Sequence, residues 1–250
     1  MADKITGPLF KWFGSKWTSS KHYPPPDYGL IVEPFAGGAG YSLRHHAKAV
    51  TLAESNRQVF VLWQWLIKHA TEASIREIPL NIPEGTDIRS LGLSEGQALL
   101  LKHWQRTNNV GDCWTVSVWG NKPGQWTENT RSRVACEHQL VSHWRITEDA
   151  FSLMKEPDPR IGCTWFVDPP YCYNYQYRTP PLDYEALGGI VTRLPGQTIV
   201  CEAACQKTGA LPSWLPFEDF RRTVTSRRKV TNNHHSRELL YVGTQPTSSP

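Results

Sequence analysis

No stretch of this sequence approaches the roughly 20 consecutive apolar residues that a membrane-spanning helix requires. The opening MADKITGPLF carries no apolar segment of signal-peptide type. Both absences lead to the expectation of a cytoplasmic protein with no membrane partner. Cysteine is sparse, with six residues at positions 113, 136, 163, 172, 201 and 205. None forms a Cys-x-x-Cys pair and no histidine accompanies them at finger spacing, so reduced thiols are expected and no metal site. Internal repeats are absent, and so is any large excess of one charge. The formal net charge is +4, which permits a polyanionic partner without requiring one. No lysine follows the glycine-rich stretch at the position that phosphate-binding loops use, which disfavours ATP hydrolysis.

What is present fits a soluble globular chain. Hydrophobic residues make up 39% and charged residues 20% of 250, enough for one sizeable core or a core with a small added lobe. The first part alternates strand and helix. Leu30 to Val32 is a short apolar run, followed by an acidic residue, the turn FAGGAG and a helix starting near Tyr41. The stretch KAVTLAESN reads as a second strand ending at Glu54, and QVFVLWQWLIKHA has apolar residues at helical spacing. Strand, glycine turn, helix and strand in this order predict a parallel sheet. From about residue 73 to 144 turn-rich stretches surround one helical piece, LSEGQALLLKHWQR. Irregular stretches of that length suggest a functional insertion, so the chain divides into 1–72 and 146–250 as the main domain and 73–145 as an inserted lobe. The alternation then resumes: DAFSLMK as helix, CTWFV as strand, DYEALGGIVTRL as helix and QTIVCEAA as strand, with FRRTVTSRR and ELLYVGT as a closing antiparallel pair.

Two stretches carry chemistry. Glycines in FAGGAG let the backbone bend sharply and approach a ligand. Glu54, at the end of the second strand, is placed to accept from ribose hydroxyls, which favours an adenosine-containing cofactor. The second stretch is FVDPPYCYNY, where a buried run ends in Asp168, Pro169, Pro170 and Tyr171. Prolines donate no backbone hydrogen bond, so their loop offers carbonyl acceptors. A carboxylate and a carbonyl facing one point suit a planar amino group, and the Tyr171 ring can stack on an aromatic base. Hydrogen bonds from that amine would draw its nitrogen toward tetrahedral geometry and free a lone pair for attack on a methyl group. Positioning and electrostatics would supply the rate.

Together, FKWFGSK, VEPFAGGAGYSL, LAESN and DPPY, with the closing RRKV and SRELLYVG, resemble the Dam-like DNA adenine-N6 methyltransferases in content and order. The resemblance spans residues 10 to 243. It implies an α/β fold of Rossmann-like class I methyltransferase type, with helices on both faces of the sheet and a small inserted target-recognition lobe. It implies S-adenosylmethionine as cofactor and methyl transfer to adenine N6 in double-stranded DNA, with the base flipped out of the duplex. Enzymes of this kind can act as monomers, and oligomers stay open. The resemblance places Trp12 and Lys16 at N-terminal cofactor-contact positions and the turn from Pro34 and Phe35 through Ala36, Gly37, Gly38 and Gly40 around the methionine end. Glu54, with Asn56 beside it, falls at the ribose-binding acid, where the family usually has Asp. Asp149 falls near the cofactor's adenine, or caps a helix. Asp168 to Tyr171 would be catalytic. Lys122, Arg131, Arg133, Arg227, Arg228 and Lys229 are candidates for phosphates, and Tyr173 and Tyr175 for a lid near the target base. After QTIVCEAA the family often has a small polar pair, whereas this chain has Glu202, expected to pair with an arginine. The same pocket would also serve an RNA or other amino-group methyltransferase, or a DNA-binding homologue without activity.

Overall fold

Residues 30–33 are β-branched or apolar up to Glu33, and such a run bounded by a glycine turn is buried on both sides of a sheet. The computed structural model, which describes residues 3–105, 112–155, 157, 162–172, 182–203, 212–214, 221–230 and 234–247 (221–238 in backbone alone), has them as strand β1, Leu30–Glu33. The other strands are β2 (Ala49–Ala53), β3 (Arg145–Thr147), β4 (Cys163–Val167), β5 (Gly196–Ala203), β6 (Arg221–Val230) and β7 (His234–Gln245). They form one sheet in the order β3-β2-β1-β4-β5-β7-β6. The first five are mutually parallel, while β7 runs antiparallel to both β5 and β6. The doubly wound order 3-2-1-4-5-6 is therefore present, with β7 inserted antiparallel before the last strand.

Helices cover both faces, as the alternation of side chains along the strands requires. Ile31, Leu52, Phe166, Ile199 and Leu240 point into one apolar cluster with α1 (Gly40–Arg44) and α2 (Arg57–Lys68). Val32, Trp165, Val167, Val200 and Tyr241 point the other way, toward α6 (Ala150–Lys155) and α7 (Tyr184–Val191). On the first face the Tyr41 ring stacks on Phe166 at 4.4 Å, nearly parallel, and its hydroxyl donates to the Pro24 carbonyl at 2.9 Å.

The stretch expected as an inserted lobe holds α3 (Glu72–Arg76), α4 (Glu95–Trp104) and α5 (Glu128–Glu137). Its buried side chains, among them Ile75, Leu99, Trp126 and Val134, belong to the same apolar cluster as Ile31 and Phe166. It thus thickens one face of the sheet. α4, the helical piece expected at LSEGQALLLKHWQR, begins with a capping box between Ser94 and Gln97. α5 and β3 were not foreseen. α5 is mostly polar and buries only Val134, Ala135 and Glu137, and β3 has three residues.

Tryptophan, abundant among the polar stretches, serves the interior. Five indole N–H groups donate to backbone carbonyls: Trp63 to Gly37, Trp104 to Leu9, Trp126 to Pro79, Trp144 to His46 and Trp165 to Pro195. All five are buried. In the stretch expected to read DNA two differ: Trp114 is half-buried with its indole on the Asp112 carboxylate, and Trp119 is 57% exposed. Among the described residues no helix is long and apolar enough to cross a membrane.

Candidate cofactor and base site

A cavity of about 290 Å³ opens at the C-terminal ends of β1, β2 and β4. β1 and β4 are neighbours at the point where the strand order reverses, the place where doubly wound sheets bind ligands. All eleven residues expected at a cofactor line it: Trp12, Lys16, Pro34, Phe35, Ala36, Gly37, Gly38, Gly40, Glu54, Asn56 and Asp149. Asp168 and Pro170 line it as well. Pro169 is buried below it, and Tyr171 packs on the apolar cluster of the first face.

The glycine turn has its shape because side chains would not fit. Gly37 has φ +46°, and a Cβ there would lie 2.6 Å from the Trp12 indole; a Cβ at Gly40 would lie 2.2 Å from the backbone nitrogen of Trp17. The KWFGSK segment is thus pressed onto the FAGGAG turn, which is why the two stretches act as one wall. Glu54 closes the turn from the β2 side. One of its oxygens accepts from the Gly37 N–H at 2.8 Å and the other from the Asn56 N–H at 2.7 Å. Burial pushes this carboxyl up, against the pull of those N–H groups. Each oxygen keeps acceptor capacity for a further donor. Asn56 itself caps α2, its side chain accepting from the Gln58 and Val59 N–H groups. Asp149 lies on the cavity wall and caps the start of α6 through Ser152, as the helix-cap reading of it expected.

Glu33 is a cavity residue that was not singled out in sequence. Its carboxyl is buried and accepts from the Ser42 hydroxyl at 2.5 Å. Burial first, then the nearby Asp168 charge, push its pKa up to about 8, although the Ser42 bond opposes this. An acid at the last position of the first strand, just before a glycine turn, was the signal that could have found it.

At the other end of the cavity Lys16 Nζ meets Asp168 Oδ2 at 2.5 Å, donates to the Gly14 carbonyl at 3.0 Å and lies 5.0 Å from the centre of the Tyr171 ring. Both partners are mostly withdrawn from solvent, at 7% and 15% side-chain exposure. Lys16 therefore touches the catalytic candidate as well as the cofactor cavity. The Pro170 carbonyl accepts from the Tyr184 hydroxyl at 2.5 Å. Glu202, fully buried on β5, accepts from the N–H groups of Cys172 and Ala203 and from the Trp214 indole. Among the described residues its partners are these neutral donors rather than the expected arginine, and burial pushes the carboxyl up to about 7.

The nucleic-acid candidates divide. Lys122 is exposed. Arg131 and Arg133 turn inward instead: Arg131 donates to the Ile78 carbonyl and pairs with Glu128, and Arg133 donates to the Pro8 carbonyl and pairs with Glu137. Guanidinium groups held by carboxylates and carbonyls are not presented to phosphates, so these two leave the set. Arg227, Arg228 and Lys229 fall on β6, paired with Arg237, Ser236 and His235 of β7. Tyr173 and Tyr175 lie outside the described residues.

No family model matches the chain, and no curated protein does. Among solved structures it is similar to one titled a conserved hypothetical protein from Streptococcus pyogenes, at 14% identity and a TM-score of 0.35 over 88% of each chain. A likeness this remote implies nothing about activity.

Proposed function

We propose that this chain is a Dam-like DNA methyltransferase that moves the methyl group of S-adenosylmethionine to the N6 amino group of adenine in double-stranded DNA. The observation that carries the reading is convergence. KWFGSK, the glycine turn, Glu54 and Asp168 are dispersed along the sequence, with Lys16 and Asp168 152 positions apart, yet they meet on one cavity.

The cavity residues fit the cofactor. An ammonium and a ribose both require acceptors, and Glu33 and Glu54 provide one each at the cavity wall. Trp12, Phe35 and Phe151 give aromatic surfaces for an adenine ring. Glu33 keeps its proton in the absence of a cation and gives it up when one is held beside it. S-adenosylmethionine, when bound, supplies an electrophilic methyl group.

The chain's own residues do the rest by orientation. Asp168 accepts one hydrogen of the target amine, and Lys16 fixes the carboxylate that does so. The Pro170 carbonyl already accepts one hydrogen bond, from Tyr184, so we give the second amine hydrogen to the Pro169 carbonyl. Two acceptors in fixed positions hold the nitrogen lone pair in line, so the gain comes from preorganised geometry. A stacked duplex hides this amine, so the adenine must be flipped out to reach it. Lys122, Arg227, Arg228 and Lys229 are the cations left to grip phosphates.

Purified protein incubated with labelled S-adenosylmethionine and either duplex DNA or RNA, then digested to nucleosides, tests this. N6-methyladenine in the DNA digest is the expected result. Methyladenine only in RNA would move the substrate. Methylation of neither, with no cofactor binding by calorimetry, would overturn the reading.

A further inference from the structure

Beneath the Asp168–Tyr171 turn lies a ring of contacts that the cavity does not use. Glu202 Oε2 accepts from the Cys172 N–H at 3.3 Å and from Trp214 Nε1 at 2.9 Å, and Oε1 from the Ala203 N–H at 2.9 Å. The Trp214 ring lies 5.8 Å from that of Tyr184, and the Tyr184 hydroxyl donates to the Pro170 carbonyl at 2.5 Å. The path from Pro170 through Cys172, Glu202, Trp214 and Tyr184 returns to Pro170. Trp214 is seated on α7, where a Cβ at Gly188 would come within 2.0 Å of its carbonyl oxygen. The turn is thus gripped at Pro170 and at Cys172, on either side of Tyr171.

We propose that Glu202 is a positioning residue for methyl transfer, acting through the turn that carries Asp168, the Pro169 carbonyl and Tyr171. It rests on the methyltransferase reading above. Glu202 is absent from the cavity lining and touches neither the cofactor residues nor Asp168 through any hydrogen bond described. Its influence travels through the Cys172 N–H and the indole. An ionised carboxylate suits this place because the Cys172 and Ala203 N–H groups, the indole and the Cys172 thiol are all donors and a carboxylate offers only acceptors. A glutamine keeps one acceptor oxygen for the partners at Oε2 and sets its amide against the Ala203 N–H. An alanine abandons every one of these donors inside the protein. The sequence signal is the departure after QTIVCEAA, where the resembled family often has small polar residues.

Two measurements on Glu202→Ala and Glu202→Gln test it. The first is kcat, KM for DNA, and cofactor affinity by calorimetry. A turn displaced by a fraction of an ångström lowers kcat in Glu202→Ala by roughly 10- to 100-fold. Cofactor affinity should stay within about twofold and Glu202→Gln should regain most of the rate. The second needs no activity: N-ethylmaleimide labelling of Cys172, followed by peptide mass spectrometry. Release of the Cys172 N–H and thiol should raise the labelling rate roughly tenfold in Glu202→Ala, and Tyr184→Phe, which leaves that thiol contact in place, should raise it less if the turn itself is held. Where Glu202→Ala does not fold, Glu202→Gln and Tyr184→Phe carry both measurements, with smaller changes of the same sign. Unchanged Cys172 labelling in a folded variant overturns the grip. Faster labelling with unchanged kcat overturns the positioning role, as does an equal loss of cofactor affinity. A wild-type protein that transfers no methyl group sinks the enzyme reading and with it the positioning role, while the labelling result still decides whether Glu202 holds the turn.

Discussion

The two halves of the sheet solve the same local problem with one residue type and use the solution differently. At the end of β2, Glu54 reaches across to the turn that follows the neighbouring β1 and binds the Gly37 N–H. At the end of β5, Glu202 reaches across to the turn that follows the neighbouring β4 and binds the Cys172 N–H. Each also binds a backbone N–H near the end of its own strand, that of Asn56 just beyond β2 or of Ala203, the last residue of β5. Glu54 forms part of the cavity wall, with acceptor capacity facing inward. Glu202 is fully buried and backed by an indole. A carboxylate at a strand end can therefore brace a turn and line a cavity at once, or brace only. Exposure to the cavity decides which.

The sharpest way to break this comparison is at the residue the second turn carries. Asp168→Ala should lower methyl transfer by at least about 10²- to 10³-fold, as loss of a single preorganised electrostatic partner does. Cofactor binding, which belongs to the first half, should survive in calorimetry. Equal loss of both would mean that the halves are not separable. Next in size, Glu54→Ala leaves the Gly37 and Asn56 N–H groups without their acceptor, at about 1–3 kcal/mol for each buried group. It should lower both stability in urea and cofactor affinity, whereas Glu202→Ala should lower stability and kcat and leave cofactor affinity within about twofold.

Smaller is the effect of the acid beside the first turn. The folded chain holds the Glu33 proton up to about pH 8, whereas the unfolded chain releases it in the ordinary carboxylate range. Between those limits the folded state binds more protons, so this residue makes stability fall as pH rises, and the loss is complete above about 8. Glu33→Gln should therefore match wild type near pH 4 and be more stable by about 2–4 kcal/mol at pH 9, while binding the cofactor more weakly. Urea melts at the two pH values check the first statement, and calorimetry the second. Smallest is Gly37→Ala. Its φ of +46° and its contact with Trp12 predict a loss of about 1–2 kcal/mol, together with weaker cofactor binding, and the second turn's Cys172 labelling should not respond.

The sequence revealed the parts whose physics is local. Buried apolar runs ending in an acid, the glycine turn, and the carboxylate followed by two prolines each carry their reason within ten residues. The strands β1, β2, β4 and β5, and the glycine turn, Glu54 and Asp168 on the cavity wall, were legible for that cause. What escaped depends on partners far along the chain. Arg131 and Arg133 look like surface cations until Ile78, Pro8 and Glu137 are beside them. Lys16 shows its link to Asp168 only once the chain has folded across 152 positions. α5 has too narrow an apolar stripe to announce itself, and the partners of Glu202 come from three separate segments.

The indole anchors have a consequence for how this sequence can vary. A Trp63, Trp104, Trp126, Trp144 or Trp165 replaced by phenylalanine keeps most of the apolar volume but strips a carbonyl in the loop it faces of its donor. Tyrosine also donates, but its hydroxyl sits at the far end of the ring rather than on its edge, so it does not reach the same carbonyl from the same backbone position. These positions tie loops to the core as rivets tie plates. Drift at such a site requires a second change that re-satisfies the carbonyl, so these five tryptophans should vary in pairs with the turns they hold.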